Sequence, residues 1–137
     1  MTNSSANVVQ TLLKNPVDLK HVQSVTTPDV TYVSLSESNP NLKAYLPWTG
    51  INKGPESIVK VFEGIYKTWE TKAFEVREIV EQGDNVVFLG SFTYQSRETG
   101  RVAISLFSLF AKIANGKISY IQFLEDTFAT SGTINRQ

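Results

Sequence analysis

The dipeptide Asn115-Gly116 stands between two long runs of apolar and small residues and constrains this chain more than any other feature. A two-residue Asn-Gly loop supplies the positive φ that both central positions of a type I′ turn require, so it predicts a tight hairpin. Its arms are Arg101 to Ala114 and Lys117 to Thr127. A further strand, Val86 to Tyr94, joins the first arm through the turn signal Ser96-Arg97-Glu98-Thr99-Gly100. Counted back from the turn, a uniform register sets Ile113 opposite Ile118, Phe110 opposite Ile121, Ser108 opposite Phe123, Leu106 opposite Glu125 and Ser105 opposite Asp126. Side chains alternate between faces, so one face is expected to hold Ile104, Leu106, Ser108, Phe110, Ile121, Phe123 and Glu125. The other holds Ser105, Phe107, Leu109, Ala111, Ile118, Tyr120, Gln122, Leu124 and Asp126. Neither face is plainly polar. Each therefore needs a cover, one of helices or a ligand and the other of more protein, and a slip of one residue would exchange them.

The remaining periodicities supply helices for one side of this sheet. Val8, Val9, Leu12 and Leu13 recur at spacings of three and four, the stripe of a short helix that stops before Pro16, while Met1 to Ser5 is polar and expected to fray. Leu19, Val22 and Val25 mark a second helix, with Asp18 as N-cap and Pro28 as stop; His21 on it reads as an ordinary polar residue. Asp29 to Leu35 reads as a strand, Ser36 to Asn41 as a loop, and Leu42 to Asn52 as an aromatic-rich connection without a period. Pro55 suits the first position of the longest helix, whose buried stripe is Ile58, Val61, Phe62 and Ile65. In Thr71 to Gln82, Phe74 and Val76 alternate with Glu75 and Arg77 until the phase changes at Glu78-Ile79, as at a β-bulge. Two small helices, a strand, a longer helix and four consecutive antiparallel strands make an α+β arrangement, in one domain over residues 1–137.

Composition excludes more than it selects. The 13 basic and 13 acidic residues balance without a block of like charge, which argues against a nucleic-acid or anionic-membrane surface. With no cysteine and one histidine, disulfides, thiolate metal sites and multi-histidine sites within one chain are ruled out. No secretory leader and no apolar run long enough to span a bilayer is visible, so a cytoplasmic protein is expected.

Asp29-Val30-Thr31-Tyr32, Trp48-Thr49-Gly50, Lys53-Gly54-Pro55-Glu56-Ser57-Ile58, Thr99-Gly100-Arg101, Asn115-Gly116-Lys117-Ile118 and Glu125-Asp126-Thr127 together resemble the nuclear transport factor two-like superfamily, in its SnoaL-like and ketosteroid isomerase-related branch. The resemblance covers nearly the whole chain. It implies a cone-shaped, strongly curved, mostly antiparallel sheet wrapped around three N-terminal helices, with a deep apolar pocket, no cofactor, and a homodimer through the outer face of the sheet. It does not fix an activity, since this fold hosts isomerases, cyclases, hydrolases and binders. The isomerase base corresponds to Ser34, its buried aspartic acid to Ser108, and the first helix has no tyrosine, so that acid-base set is missing. Serine offers no useful pKa near neutrality without an activating base.

Glu125 is then the one carboxylate expected to look toward the pocket, where desolvation would raise its pKa and suit it to proton transfer. Tyr32, Ser34, Trp48, Phe62, Leu106, Ser108, Phe110, Ile121 and Phe123 are the expected ligand-binding residues, with Tyr66 and Trp69 as further aromatic wall. Asp126 is expected to cap the end of the sheet through Ser105 or Thr127. Two functions fit. One is a cofactor-free pocket protein for a small hydrophobic molecule, with isomerisation, cyclisation or dehydration as the chemistry if it turns over. The other is a non-catalytic dimerisation or protein-association module of the same fold.

Overall fold

In a computed structural model, which describes residues 4–134, the chain forms one six-stranded sheet with helices packed against its concave side. The order along the chain is α1 (Ser5–Lys14), α2 (Leu19–Val25), β1 (Thr26–Ser34), α3 (Pro40–Lys43), β2 (Gly50–Lys53), α4 (Pro55–Thr68), β3 (Trp69–Gln82), β4 (Asn85–Ser96), β5 (Val102–Ala114), β6 (Lys117–Glu125) and α5 (Thr127–Ser131). Across the sheet the strands run β2-β1-β6-β5-β4-β3, with β1 parallel to β6 and every other pair antiparallel. The α+β architecture and the four consecutive antiparallel strands are those the sequence predicts. The parallel return of β1 onto β6, the short β2 inside the aromatic-rich connection, α3 and α5 are not.

Local chemistry explains most element ends. Ser4 accepts from the Asn7 amide and starts α1, so Ser4 and Ser5 are ordered, whereas residues 1–3 of the expected frayed end lie outside the described residues. Asp18 caps α2 as predicted, and the Nε2 of His21 lies 2.6 Å from the Thr11 carbonyl oxygen, tying α2 to α1. Pro55 opens α4, whose Ile58, Val61 and Ile65 are buried with Val9, Leu12 and Val22 in the core, while Phe62 is only partly covered. No described helix is long and apolar enough to cross a membrane.

The hairpin turn has φ of 52° at Asn115 and 79° at Gly116, and Ile113 pairs with Ile118 as the Asn-Gly loop dictates. The register then shifts. Lys112 pairs with Tyr120, which leaves Ser119 as the extra residue of a β-bulge, its hydroxyl donating to the Lys112 carbonyl at 3.2 Å. Beyond the bulge Phe110 pairs with Gln122, Leu109 with Phe123, and Phe107 with Glu125. The two arms thus meet one residue out of the uniform register. The concave face receives Ser105, Phe107, Leu109, Ala111 and Ile113 from β5, together with Ile121, Phe123 and Glu125 from β6. The convex face receives Ile104, Leu106, Ser108 and Phe110 with Tyr120, Gln122 and Leu124. β3 carries two more shifts of register against β4: one between Thr71 and Ala73, which keeps Trp69 and Phe74 on one face, and one between Val76 and Glu78, the predicted change of phase placed one residue earlier.

Candidate functional site

Glu125 lies at the end of β6, on the inner side of the sheet. It stands beside Phe123 and across from Phe107. Tyr32 and Ser34 point to the same side, because their parallel partners are Ile121 and Phe123. From β4 come Phe92 and Tyr94, and from the last turns of α4 come Phe62 and Tyr66. α5 closes the end of the sheet. Asp126 caps it by accepting from the Ala129 amide at 3.1 Å, and the Asp126 amide donates to the Ser105 hydroxyl at 2.9 Å. The expected link to Ser105 thus runs through backbone, and the carboxylate itself serves the helix.

The walls are aromatic. Phe74, Phe107 and Phe123 stack in sequence, with centroid separations of 4.8 and 5.2 Å and interplanar angles of 23° and 15°. Trp69 stacks on Tyr94 at 5.0 Å and is held by its indole N–H, which donates to the Thr133 hydroxyl at 2.7 Å. Tyr32 meets the Phe62 ring edge-on, and Phe62 meets Tyr66. The aromatic surface is not sealed. Phe74 and Ile79, which face the concave side opposite Phe92 and Phe88, are 42% and 40% exposed, and Tyr66 is 38% exposed.

Electrostatics single out Glu125. The residue is half-buried, yet its Oε2 has no solvent access and no hydrogen-bond partner. Burial pushes the carboxyl from its ordinary 4.5 up to about 7; the Thr130 side chain pulls it down and the Asp126 charge adds to the rise. The Tyr32 phenol is raised by burial, then by the Glu125 charge, then by Tyr66, and Tyr94 is raised by burial, then by Glu125, Tyr32 and Tyr66. The Tyr32 and Tyr94 phenols therefore sense the Glu125 charge and stay protonated near neutrality, where the Glu125 carboxyl is poised between its two states. Among the described residues no group of three or more His, Cys, Asp or Glu is placed to hold a metal ion.

The structure brings together Glu125, Tyr32, Ser34, Phe62, Ile121 and Phe123 on the concave side. The Ser119 bulge turns Leu106, Ser108 and Phe110 to the convex side, where Phe110 packs against Tyr120, while Leu106 and Ser108 line a groove whose wall also includes Phe107 and Glu125. The inward residues nearest on that strand are Phe107 and Leu109, so Ser108 is not the counterpart of a buried acid. Trp48 is buried edge-on against Trp69 at 5.3 Å, and it lines a different cavity. Sequence reasoning missed Tyr94 and Phe74. The inward alternation Phe92, Tyr94, Ser96 in β4 was the signal for the former, and Phe74 preceding the change of phase for the latter.

A curved sheet whose inner face sets one buried acid among aromatic side chains gives this α+β fold its candidate site. The comparisons give the family: residues 13–121 match the SnoaL-like domain, and the chain belongs to it. It is 35% identical over 119 residues to patulin synthesis protein F of Aspergillus clavatus, matching 85% of this chain and 60% of that protein. The chain thus spans about three-fifths of the length of that curated relative. Among solved structures it is similar to an NTF2-like protein from Burkholderia xenovorans, at 20% identity and a TM-score of 0.83 with 98% of each chain covered. It is also similar to TerC co-crystallised with polyporic acid, at 21% identity and a TM-score of 0.78 over 96% of this chain and 98% of the other.

Proposed function

We propose that the concave face binds a small, flat, mainly apolar molecule and that Glu125 exchanges a proton with it, in an isomerisation, cyclisation or dehydration that needs no cofactor. One observation carries this reading: a buried carboxyl oxygen, Glu125 Oε2, without a hydrogen-bond partner, on a carboxyl whose other neighbours are the Thr130 hydroxyl and the charge-coupled phenols of Tyr32 and Tyr94. An orphaned buried polar atom is costly unless a ligand meets it. For an isomerisation the balance is simple. Ionised Glu125 takes a proton from a carbon next to a substrate carbonyl, a Tyr32 or Tyr94 hydroxyl donates a hydrogen bond to the oxyanion that forms, and the carboxylic acid returns the proton at another atom. The relative named for patulin synthesis supports a place in the making of a small secondary metabolite.

The first test is a thermal-shift series against flat aromatic and enolic small molecules, repeated with Glu125→Gln. A ligand class that raises the midpoint identifies the substrates to assay. Turnover of such a ligand is expected to fall about 100-fold or more in Glu125→Gln, with binding largely kept. Unchanged turnover in the variant would remove Glu125 from the chemistry. An absence of any shift across the series would remove the concave face from ligand binding.

The convex face favours a second reading that can hold alongside the first. Ile104 is 72% and Leu106 66% exposed, and Val102, Leu89 and Leu124 also expose apolar surface on this side. A groove of about 460 Å³ here is lined by Leu89, Leu106, Ser108 and Leu124, and its wall reaches Phe107 and Glu125. We propose that a second copy of the chain covers this face, apolar strand surface against its own equivalent.

A further inference from the structure

A cavity of about 730 Å³ lies outside the concave site and shares none of the side chains assigned to it apart from Trp48, whose other contact is Trp69. Its floor is built on α4. Lys60, Gly64 and Lys67 follow one another at spacings of four and three, so they share a helix face, with the two lysines roughly 10 Å apart along the axis. Gly64 between them is bare for a reason: a Cβ there would come within 3.0 Å of Trp48 Cε3. The indole therefore lies directly on the helix. Tyr45 adds a second aromatic surface, and Arg97 enters from the β4–β5 turn, held by donating its Nε–H to the Tyr66 carbonyl at 2.7 Å.

Three cations thus converge on a cleft whose lining holds one carboxylate, Glu98. Glu56 and Glu63 stand at the spacings where helix-surface pairs with Lys60 and Lys67 commonly form. Yet the salt bridges among the described residues are Lys72 with Glu70 and Arg77 with Glu75, and neither lysine takes part. Arg97 also senses Glu70 on β3, which leaves the lysine pair as the principal positive charge of the cleft. Asn52 supplies a neutral polar group. Its amide nitrogen is directed at the carbonyls of Tyr32, Trp48 and Gly50, so its Oδ1 is left to accept from outside.

We infer that this cleft is a second binding site and that it takes a flat organic anion, an aromatic or enolic acid whose ring lies on Tyr45 and against the exposed edge of Trp48 and whose charge sits between Lys60, Lys67 and Arg97. Stacking supplies the area, and charge-assisted hydrogen bonds fix the orientation. The site does not depend on Glu125 and would exist in a protein that catalyses nothing.

The test uses a matched pair of dyes, anionic 8-anilinonaphthalene-1-sulfonate and uncharged N-phenyl-1-naphthylamine, titrated into the full chain by fluorescence. Lys60→Gln/Lys67→Gln is expected to weaken the anionic dye roughly tenfold, as the loss of one or two charge-assisted contacts implies, and to leave the neutral dye unchanged. Raising ionic strength is expected to weaken only the anionic dye. Both lysines are exposed, so the double variant should keep the parent melting midpoint. Amide chemical shifts give a second measurement, with the anion expected to move Gly64, Lys67 and Arg97. Equal affinity of the variant for the anionic dye, equal weakening of both dyes, or shifts confined to Phe74, Phe107 and Phe123 would each overturn the inference. Glu125→Gln separates it from the proposed catalysis, because that change should leave anionic-dye binding intact.

Discussion

Glu125 makes stability depend on pH in a direction that follows from its burial. Its carboxyl titrates at about 7 in the folded chain against an ordinary 4.5, so between those values the folded state keeps a proton that the unfolded chain has released. For an acid shifted upward, the favourable contribution is fully present below pH 4.5, declines as pH rises toward 7, and is gone above it. The span corresponds to about 3 kcal/mol at most. Glu125→Gln removes the ionisation, so urea midpoints at pH 8 are expected to rise in the variant and those at pH 4.5 to match the parent. A variant displaced by the same amount at both pH values would show that Glu125 is solvated in the native state. The same residue illustrates what sequence could show. Its inward direction and raised pKa follow from alternation and apolar neighbours in β6, whereas the phenol of Tyr94 reaches it through a β4 register that a single sequence does not display.

At the scale of elements, three shifts of register decide which residues form the site, one at Ser119 and two in β3. The Asn-Gly turn was legible because its two positive φ values have few alternatives. The Ser119 bulge was not, because Ile118, Ser119 and Tyr120 read as ordinary apolar and polar alternation. One unpaired residue was enough to keep Ile121, Phe123 and Glu125 inward while sending Leu106, Ser108 and Phe110 outward. The β3 shift between Val76 and Glu78 was visible as a change of phase, and Gly90 opposite it was a further signal, since glycine inside a strand often marks close approach. A Cβ on Gly90 would collide with the Glu75 carbonyl oxygen and come within 2.7 Å of Phe107 Cε2. Neither neighbour yields cheaply, because one is backbone of β3 and the other is the middle ring of the Phe74-Phe107-Phe123 stack. Gly90→Ala is therefore expected to cost about 3 kcal/mol, the upper end for overpacking, read as a lower urea midpoint. Ser91→Ala on the convex side should cost far less. A Gly90→Ala protein as stable as its parent would mean that β3 approaches β4 less closely than this.

For the whole molecule, the two faces of the sheet differ in cover, and the convex one is the face proposed for self-association. A curved sheet with helices on one side leaves the other to solvent or to a partner, and here that side exposes Val102, Ile104 and Leu106 along a single strand. The 13 basic and 13 acidic residues cancel, so net charge does little to keep copies apart. Pairing the same patch across a two-fold axis places Ile104 and Leu106 of each copy in the buried centre, where covering one such side chain contributes roughly 1.5–3 kcal/mol. Ile104→Lys/Leu106→Lys introduces four like charges at that centre, two from each copy, while leaving the concave core untouched. Sedimentation equilibrium over a range of concentrations is expected to show a dimer for the parent and a monomer for the variant, with the far-ultraviolet spectrum unchanged. A parent that sediments as a monomer throughout would refute self-association through this face. A variant that stays dimeric would move the interface elsewhere. If the variant is monomeric and still shows the ligand-induced thermal shift, the concave site is complete within one copy and the convex face serves assembly alone.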